Sequence, residues 1–427
     1  MNKKGFRALI WVNFSGATVD HLIKNTLVIF IGFQAQSEQL AAQFTTLALA
    51  LFMLPCVLLS GLAGQWGDNH QKLPLFKKLK TIEYVIIILI CYGLYINNPY
   101  LLCVLLLPIG IIACLTGPLK LAMIDERVDK QRRSQSSTLF QLSSIIAILM
   151  GTALAGGLLQ AGLNMAITGI LVCTCINAIG VYQQKNISIA HNIARKKPPS
   201  PRSFCTQYQH MFQTIKQDPK LVLGCLLISY YWFFINLSYS QMTTFAKYQL
   251  NINEVNTSLL FVVMTVAIAF GSLLFLILNT RLSQAKIIIV GSMSATLGYA
   301  TLSMMIAFKE NEPTISLLSE FQQVIIVIAL SNLFSSQLLF LGYALLQVNG
   351  AETQKTTIFA ASNVISAAGM IASAILISLA LHYHVNIKSL FLIYSLLSLC
   401  GGLMLWRQCI SQETKSLKQT VSPSLTD

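Results

Sequence analysis

The chain has 427 residues and a mass of 47.1 kDa; it is 55% hydrophobic and only 10% charged, with a mean hydropathy of +0.65. Soluble domains carry about 25% charged residues, so this composition excludes an ordinary cytosolic enzyme, a secreted disulfide scaffold and a disordered chain. It indicates a protein that crosses a membrane many times. A net charge of +14 would suggest nucleic-acid binding in a soluble protein, but in a membrane protein it favours basic cytoplasmic loops.

The N-terminal part of the chain contains six apolar segments, each close to the length that a membrane-spanning helix needs. These predicted spans are roughly 8–33, 41–65, 80–97, 100–122, 137–159 and 163–183. The first is interpreted as an uncleaved span rather than a signal peptide, because its apolar stretch is long and lacks a small-residue cleavage site. Apolar segments of this length predict helices, since a helix satisfies its own backbone in lipid.

A polar stretch at 184–219 separates these spans from six more, at roughly 220–246, 256–279, 285–307, 320–347, 357–382 and 387–406. The stretch includes the basic, proline-rich run Arg195–Arg202. It predicts a cytoplasmic linker, either a solvated loop or a segment that touches anionic lipid headgroups. The predicted domains are a half at 1–183, the linker at 184–219, a second half at 220–407 and a cytoplasmic tail at 408–427.

A weak internal repeat supports this division. Gly117–Leu119, at the end of the fourth span, corresponds to Gly342–Ala344 at the end of the tenth. Two related halves around a midplane cavity are typical of transporters. The predicted fold is therefore an all-α membrane protein with twelve transmembrane helices in two pseudo-symmetric six-helix halves.

The distribution of Lys and Arg predicts the orientation. With the N-terminus in the cytoplasm, nearly all basic residues fall on that side. Only Lys247, Lys309 and Lys388 lie opposite, and Lys24 lies inside the first span. The positive-inside rule then places both termini in the cytoplasm.

The first span carries the most unusual residues, Asp20 and Lys24. Their spacing of four places them on one helical face, where they can pair. A charge inside the membrane costs about 2.5–3.5 kcal/mol on insertion scales, so this face should meet the protein interior or a cavity. Either the two residues form a substrate or ion site, together with polar neighbours such as Asn25, or they form a structural ion pair.

Lys120, at the cytoplasmic end of the fourth span, follows Pro108 and Pro118, which should bend or end the helix. Its ammonium either extends to water or points inward, where it would suit a phosphate group. The loop after span 2 contains Gly64, Asp68 and Lys72. Its glycines allow a tight turn, and its aspartate can neutralise a helix end.

Other chemistry is not supported by the sequence. Most cysteines lie inside apolar segments, where they act as small hydrophobic residues, and Cys173 and Cys175 have no partner at zinc spacing. The chain contains no Walker A sequence. We therefore predict no enzymatic activity, no cofactor, no metal site and no nucleic-acid partner.

Several of these segments together resemble a known family. The loop Gly64–Lys72 is similar to the loop signature of the major facilitator superfamily. Within that superfamily, the lysophospholipid transporter family has an opening span similar to Phe14–Phe30, and motifs similar to Gly117–Glu126 and to the segment from Gln141 to Gly151. The segments Tyr343–Gln347 and Ala360–Asn363 also fit. The chain departs from the family at His21, at Leu121–Ala122 and at Gln141, where an acidic residue is usual.

This resemblance implies the major facilitator fold and movement of lysophospholipid, chiefly lysophosphatidylethanolamine, across the bacterial inner membrane. It implies that the loop of Gly64, Asp68 and Lys72 takes part in conformational gating. It also implies that polar residues line the headgroup path; the implied residues are Asp20, Lys24, Asn25, Lys120, Glu126 and Gln141.

Three functional hypotheses remain open at this stage. The first is a secondary transporter that moves lysophospholipid by alternating access. The second is the same architecture moving a siderophore, drug or metabolite, coupled to protons through Asp20. The third is a membrane receptor or assembly partner that does not transport. The expected partners are the lipid bilayer, a small or amphiphilic substrate and a coupling ion.

Overall fold

The structure is a computed structural model that describes the backbone of residues 3–69, 71–127, 133–184, 201–311, 319–349 and 355–421. Every regular element in these ranges is helical. The α-helices are α1 (Lys3–Gln34), α2 (Glu38–Asn69), α3 (Lys72–Tyr95), α4 (Pro99–Arg127), α5 (Arg133–Gln160), α6 (Leu163–Gln183), α7 (Pro201–Lys216), α8 (Pro219–Thr244), α9 (Glu254–Arg281), α10 (Gln284–Asn311), α11 (Glu320–Asn349), α12 (Lys355–His382) and α13 (Ile387–Val421). A π-helical turn, Phe245–Gln249, extends α8.

The chain folds into two compact units. Unit 1 comprises Met1–Gln207 and Ser240–Val262, and unit 2 comprises Tyr208–Tyr239 and Val263–Asp427. Helices α8 and α9 therefore contribute to both units, because their adjoining ends belong to unit 1. That the two functional halves are separated at residues 183 and 220 stays a prediction.

Nine of the helices, in the part of the chain that the structure describes, contain a segment long and apolar enough to cross a membrane. They are α2, α4, α6 and α8–α13. Helices α1 and α3 carry charged residues within their length, among them Asp20 and Lys80. Because polar groups in lipid are costly, helices of this kind normally turn their polar faces toward protein or a cavity.

Unit 1 has a continuous apolar core to which α1 contributes along much of its length. Leu9, Leu22 and Leu27 of α1 are fully buried, as are Phe76 and Ile87 of α3. Burying a large side chain of this kind stabilises a structure by about 1.5–3 kcal/mol. The position of α1 inside the unit explains how its polar residues are kept away from lipid.

Helices α1 and α5 approach closely at one glycine. A Cβ atom at Gly151 would lie 2.5 Å from the carbonyl oxygen of Thr18 and 2.9 Å from the amide nitrogen of Leu22. Asn13 of α1 also donates to the hydroxyl oxygens of Ser143 at 3.0 Å and Ser144 at 2.7 Å. Gly151 of α5 thus allows α1, the helix that carries Asp20, to pack closely against α5.

Unit 2 is joined by polar contacts between its helices and by a packed aromatic cluster. Asn236 of α8 donates to the Ser373 hydroxyl of α12 at 2.8 Å. The Tyr299 ring of α10 lies 6.4 Å from Phe391 and 5.7 Å from Tyr394 of α13, between ring centroids. Tyr394 is fully buried, so this cluster packs the interior of the unit.

Two sequence expectations about helix ends differ from the structure. Helix α2 continues to Asn69, so Gly64 and Asp68 lie on a helix and not in a loop. Each glycine costs a helix about 1 kcal/mol, which is not enough to stop one that is already formed. Helix α4 likewise continues through Pro108 and Pro118, although prolines remove one hydrogen bond each.

The predicted linker contains a helix. Helix α7 occupies 201–216, and its side chains Met211, Thr214 and Ile215 are buried. Gln213 and Lys216, on the same helix, are exposed. The basic run Arg195–Arg202 lies mostly outside the described residues, so its contact with lipid headgroups stays a prediction.

Lys247, in the π-helical turn of unit 1, caps the end of α1. Its ammonium donates to the carbonyl oxygens of Phe33 at 2.8 Å and Ala35 at 2.7 Å, and the Tyr248 hydroxyl donates to Ala35 at 2.8 Å. The last carbonyls of a helix lack partners within the helix. These bonds therefore stabilise the connection between α1 and α2.

We expect Lys247→Met to destabilise the protein by about 1.5 kcal/mol, because hydrogen bonds from a charged donor contribute that much when partly buried. The measurement is the midpoint of thermal unfolding of the detergent-purified protein. Lys286→Met, at an exposed lysine of α10, is the matched control. Equal midpoints for the two variants would contradict a capping role for Lys247.

Candidate functional site

A cluster of charged side chains lies inside unit 1, where α1, α3 and α4 contribute to it. Asp20 of α1 and Lys80 of α3 form an ion pair with 3.8 Å between Oδ1 and Nζ. Lys80 also donates to Glu83 Oε1, three residues along α3, at 2.6 Å. The side chains of Lys80 and Glu83 are only 1% and 4% exposed, whereas that of Asp20 is 25% exposed.

Two further lysines belong to this cluster. Lys120 of α4 interacts electrostatically with Asp20, Lys80 and Glu83. Lys24, one helical turn beyond Asp20, and Lys120 both interact electrostatically with the half-buried His21. Three ammonium groups and two carboxylates therefore share one region, which leaves it one positive charge in excess when His21 is neutral.

A neutral hydrogen-bond network borders the cluster on the side of α6. The Tyr84 hydroxyl donates to Asn177 Oδ1 at 2.9 Å, and Asn177 Nδ2 donates to the Ser15 hydroxyl at 2.9 Å. A Cβ atom at Gly16 would lie 3.3 Å from Asn177 Nδ2 and 3.7 Å from Lys80 Nζ. This glycine thus leaves space in which α1 passes close to the Lys80 ammonium.

Lys120 is half-buried and lies near enough to Asp20, Lys80 and Glu83 to interact with them electrostatically. Its inward orientation toward a ligand stays a prediction. Asn25 is fully buried and donates to the Thr152 hydroxyl of α5 at 2.8 Å. That bond joins α1 to α5, so a role of Asn25 in binding stays a prediction.

Other predicted site residues cannot be placed in the cluster. The side chains of Gly64, Asp68, Glu126 and Gln141 lie outside the described residues. Lys72 is the first residue of α3 and is half-buried. Their proposed roles in the headgroup path and in gating remain predictions.

Sequence reasoning missed Lys80 as a site residue. The distribution of basic residues places it among the cytoplasmic charges, because it starts the predicted third span. The structure buries it beside Asp20. A signal was available: Lys80 and Glu83 are an i, i+3 pair of opposite charge at the edge of an apolar segment, a spacing that places both on one helical face.

The chemistry of this cluster suits a ligand that carries charge. Asp20 presents the most exposed carboxylate of the cluster, which can accept a cationic group, and Lys120 near it can bind an anionic group. The described residues contain no group of three or more His, Cys, Asp or Glu side chains that could hold a metal ion. Recognition of a charged solute is thus the chemistry that the arrangement offers.

The family model of the Major Facilitator Superfamily matches residues 14–317 of the chain. The chain belongs to the major facilitator superfamily. The superfamily prediction and the predicted fold class are thereby confirmed, and the protein is a multi-pass membrane protein with the fold of secondary transporters. No curated protein matches the sequence.

Solved structures with the major facilitator fold are similar along the whole chain. A POT family transporter in complex with a thioalcohol-conjugated peptide has a TM-score of 0.68 and 14% identity, covering 99% of this chain and 97% of that one. The POT family transporter PepTSo has a TM-score of 0.70 at 11% identity, covering 96% and 98%. The nucleoside transporter NupG has a TM-score of 0.64 at 11% identity, covering 96% and 99%. Identities this low show the fold alone.

Proposed function

We propose that this protein moves lysophospholipid across the bacterial inner membrane by alternating access, with the charged cluster of unit 1 receiving the headgroup. The observation that carries the proposal is the partly exposed carboxylate of Asp20, which lies beside the buried Lys80 and near the half-buried Lys120. Both termini lie in the cytoplasm in this proposal, on the basis of the Lys and Arg distribution.

The headgroup of lysophosphatidylethanolamine carries an ammonium group and a phosphodiester group close together. Asp20 would accept the ammonium, and Lys120 would meet the phosphate as a point charge. The excess of one positive charge in the cluster favours a ligand that brings a negative group. The similarity of the sequence to lysophospholipid transporters in α1 and α4 supports the same residues.

The alternative is a proton-coupled transporter of another small charged solute. The observation in its favour is that the same pair of charges would fit any molecule with an amine and an acid group. The structures with a similar fold include transporters described with a bound peptide. In this alternative, Asp20 would bind the amine or the coupling proton.

The test is uptake by the purified protein in proteoliposomes. Labelled lysophosphatidylethanolamine is added outside, and the label that albumin can no longer extract is measured, with protein-free liposomes as the baseline. A panel of a dipeptide, a nucleoside and a siderophore is tested in parallel. We expect protein-dependent movement of the lysophospholipid; flux of a solute from the panel without lipid movement would overturn the proposal in favour of the alternative.

Variants sharpen this test. Lys120→Gln should slow lipid movement, since it removes the proposed phosphate contact. Lys77→Met is the matched control, because Lys77 donates to the carbonyl oxygens of Tyr182 and Gln184 at the end of α6 and not to the cluster. Equal rates for the two variants would contradict the proposed role of Lys120.

A further inference from the structure

Lys80 is held between two carboxylates that differ in distance and in exposure. Its ammonium lies 2.6 Å from Glu83 and 3.8 Å from Asp20. The shorter contact is a hydrogen-bonded ion pair, and the longer one is an ion pair beyond the usual hydrogen-bond distance. Lys80 thus holds Glu83 at closer range than Asp20.

The contact with Glu83 is local and therefore persistent. Both residues belong to α3, with the i, i+3 spacing that places their side chains together. Both are almost fully buried, and a buried charge needs a partner because its desolvation is expensive. Glu83 consequently keeps Lys80 charged and near Asp20 whatever Asp20 itself binds.

The contact with Asp20 is the one that can be replaced. Asp20 lies on a different helix, and a quarter of its side chain is exposed, so a ligand can reach it. Of the charged and titratable side chains in the described residues, Glu83, Tyr84 and Lys120 interact electrostatically with Asp20, Lys80 or both. His21 and Lys24 follow Asp20 along α1 and interact with each other.

We propose that Lys80 is an exchangeable counter-ion of Asp20. In the empty protein Lys80 neutralises Asp20; when a substrate places its cationic group on Asp20, Lys80 gives up that contact and remains paired with Glu83. The inference rests on the proposed function, since it takes Asp20 as the substrate's cation site. It assigns Lys80 and Glu83 as positioning residues that set the affinity of Asp20 without touching the substrate.

The two residues should then shift substrate affinity in opposite directions. Lys80→Met removes the ammonium group that competes with the substrate's cationic group for Asp20. The KM for lysophosphatidylethanolamine should therefore fall by roughly fivefold, which corresponds to the contribution of one ion pair. Glu83→Gln frees Lys80 to pair fully with Asp20, so the KM should rise by a similar factor. A pair that only stabilised the fold would not move the KM in opposite directions.

The maximal rate gives a second signature. In Lys80→Met the empty carrier has lost the internal counter-ion of Asp20, so its return step should slow and the maximal rate should fall together with the KM. Lys80→Arg keeps the charge and should behave like the wild-type protein in both parameters. Lys77→Met serves again as the matched control on α3.

Each single variant leaves one buried charge without its partner and can therefore misfold. The double variant Lys80→Met/Glu83→Gln is the control, because it removes both buried charges at once. It should fold and show the low KM of Lys80→Met. Unchanged KM values, or shifts in the same direction for Lys80→Met and Glu83→Gln, would overturn the inference. A double variant with a raised KM would also overturn it.

A measurement without substrate separates this inference from the proposed function. Dicyclohexylcarbodiimide reacts with protonated carboxyl groups inside membrane proteins, and the labelled residue is identified by mass spectrometry. We expect Asp20 labelling at neutral pH to increase in Lys80→Met, because the carboxylate has lost a positive partner. If the wild-type protein moves no lysophospholipid, the proposed function fails, and the labelling result alone tests whether Lys80 is the counter-ion of Asp20. Unchanged Asp20 labelling in Lys80→Met would then overturn the counter-ion role.

Discussion

Asp20→Asn should reduce uptake by the purified protein by roughly tenfold to a hundredfold, because it replaces a charged acceptor by a neutral one at the proposed cation site and a hydrogen bond to a charged group contributes about 1.5–3 kcal/mol. Asn keeps the volume of Asp, so the amount of folded protein should remain close to that of the wild type. The measurement is the initial rate in proteoliposomes at equal protein content.

Glu38→Gln is the matched control for this prediction. Glu38 lies at the start of α2, where it accepts from Gln249 at 3.3 Å, and it is not part of the charged cluster. Its variant should transport at the wild-type rate. A normal rate in Asp20→Asn would contradict the assigned role of Asp20.

A double replacement addresses the receptor hypothesis. Asp20→Leu together with Lys24→Leu removes opposite charges from α1, so it leaves the formal net charge of the chain unchanged. Either transporter hypothesis expects it to abolish flux. If the double variant inserts in the membrane and the cellular phenotype survives, a non-transporting role gains support.

Gly151→Val should strongly destabilise the protein. A Cβ atom at this position would lie 2.5 Å from Thr18 and 2.9 Å from Leu22 backbone atoms of α1, which cannot move without displacing that helix. Overpacking of a well-packed interior typically costs 1–3 kcal/mol and occasionally more. We expect the upper end of about 3 kcal/mol here, because the obstructing atoms are backbone.

The test compares Gly151→Val and Gly151→Ala with Gly157→Ala on the same helix. A Cβ atom at Gly157 would meet nothing within 4 Å, so alanine there should be neutral or slightly stabilising through its helix propensity. The detergent-purified variants are heated, and the fraction of each that stays monodisperse is measured. This gives the order of their thermal stabilities. Equal stability of Gly151→Ala and Gly157→Ala would show that α1 and α5 are not in close contact.

Much of the fold follows from local composition. The twelve predicted spans correspond to α1–α6 and α8–α13, because each span is a continuous apolar segment and a helix satisfies its own backbone. The residues at which the helices begin and end were less predictable. Helix α2 continues to Asn69 and α3 begins at Lys72, since hydropathy marks where lipid ends and not where hydrogen bonding along the helix ends.

The site was predictable only in part, and the difference between Asp20 and Lys80 shows why. Asp20 lies in the middle of an apolar segment, so its cost in lipid identifies it without any knowledge of neighbours. Lys80 lies at the edge of its segment among other basic residues, where extension to water is an equally good solution. Only the tertiary packing distinguishes these two outcomes: α3 packs against α4 and α6, and its Lys80 side chain reaches Asp20 of α1.

The sequence by itself determined that the chain crosses a membrane as helices, that the basic residues crowd on one side, and that the first span holds a charge in need of a partner. These are properties of single segments, set by the cost of moving each side chain and each backbone group from water to lipid. The tertiary structure decided which partner Asp20 has. That choice depends on which helical faces meet: Lys80 of α3 and Asp20 of α1 lie 3.8 Å apart inside unit 1.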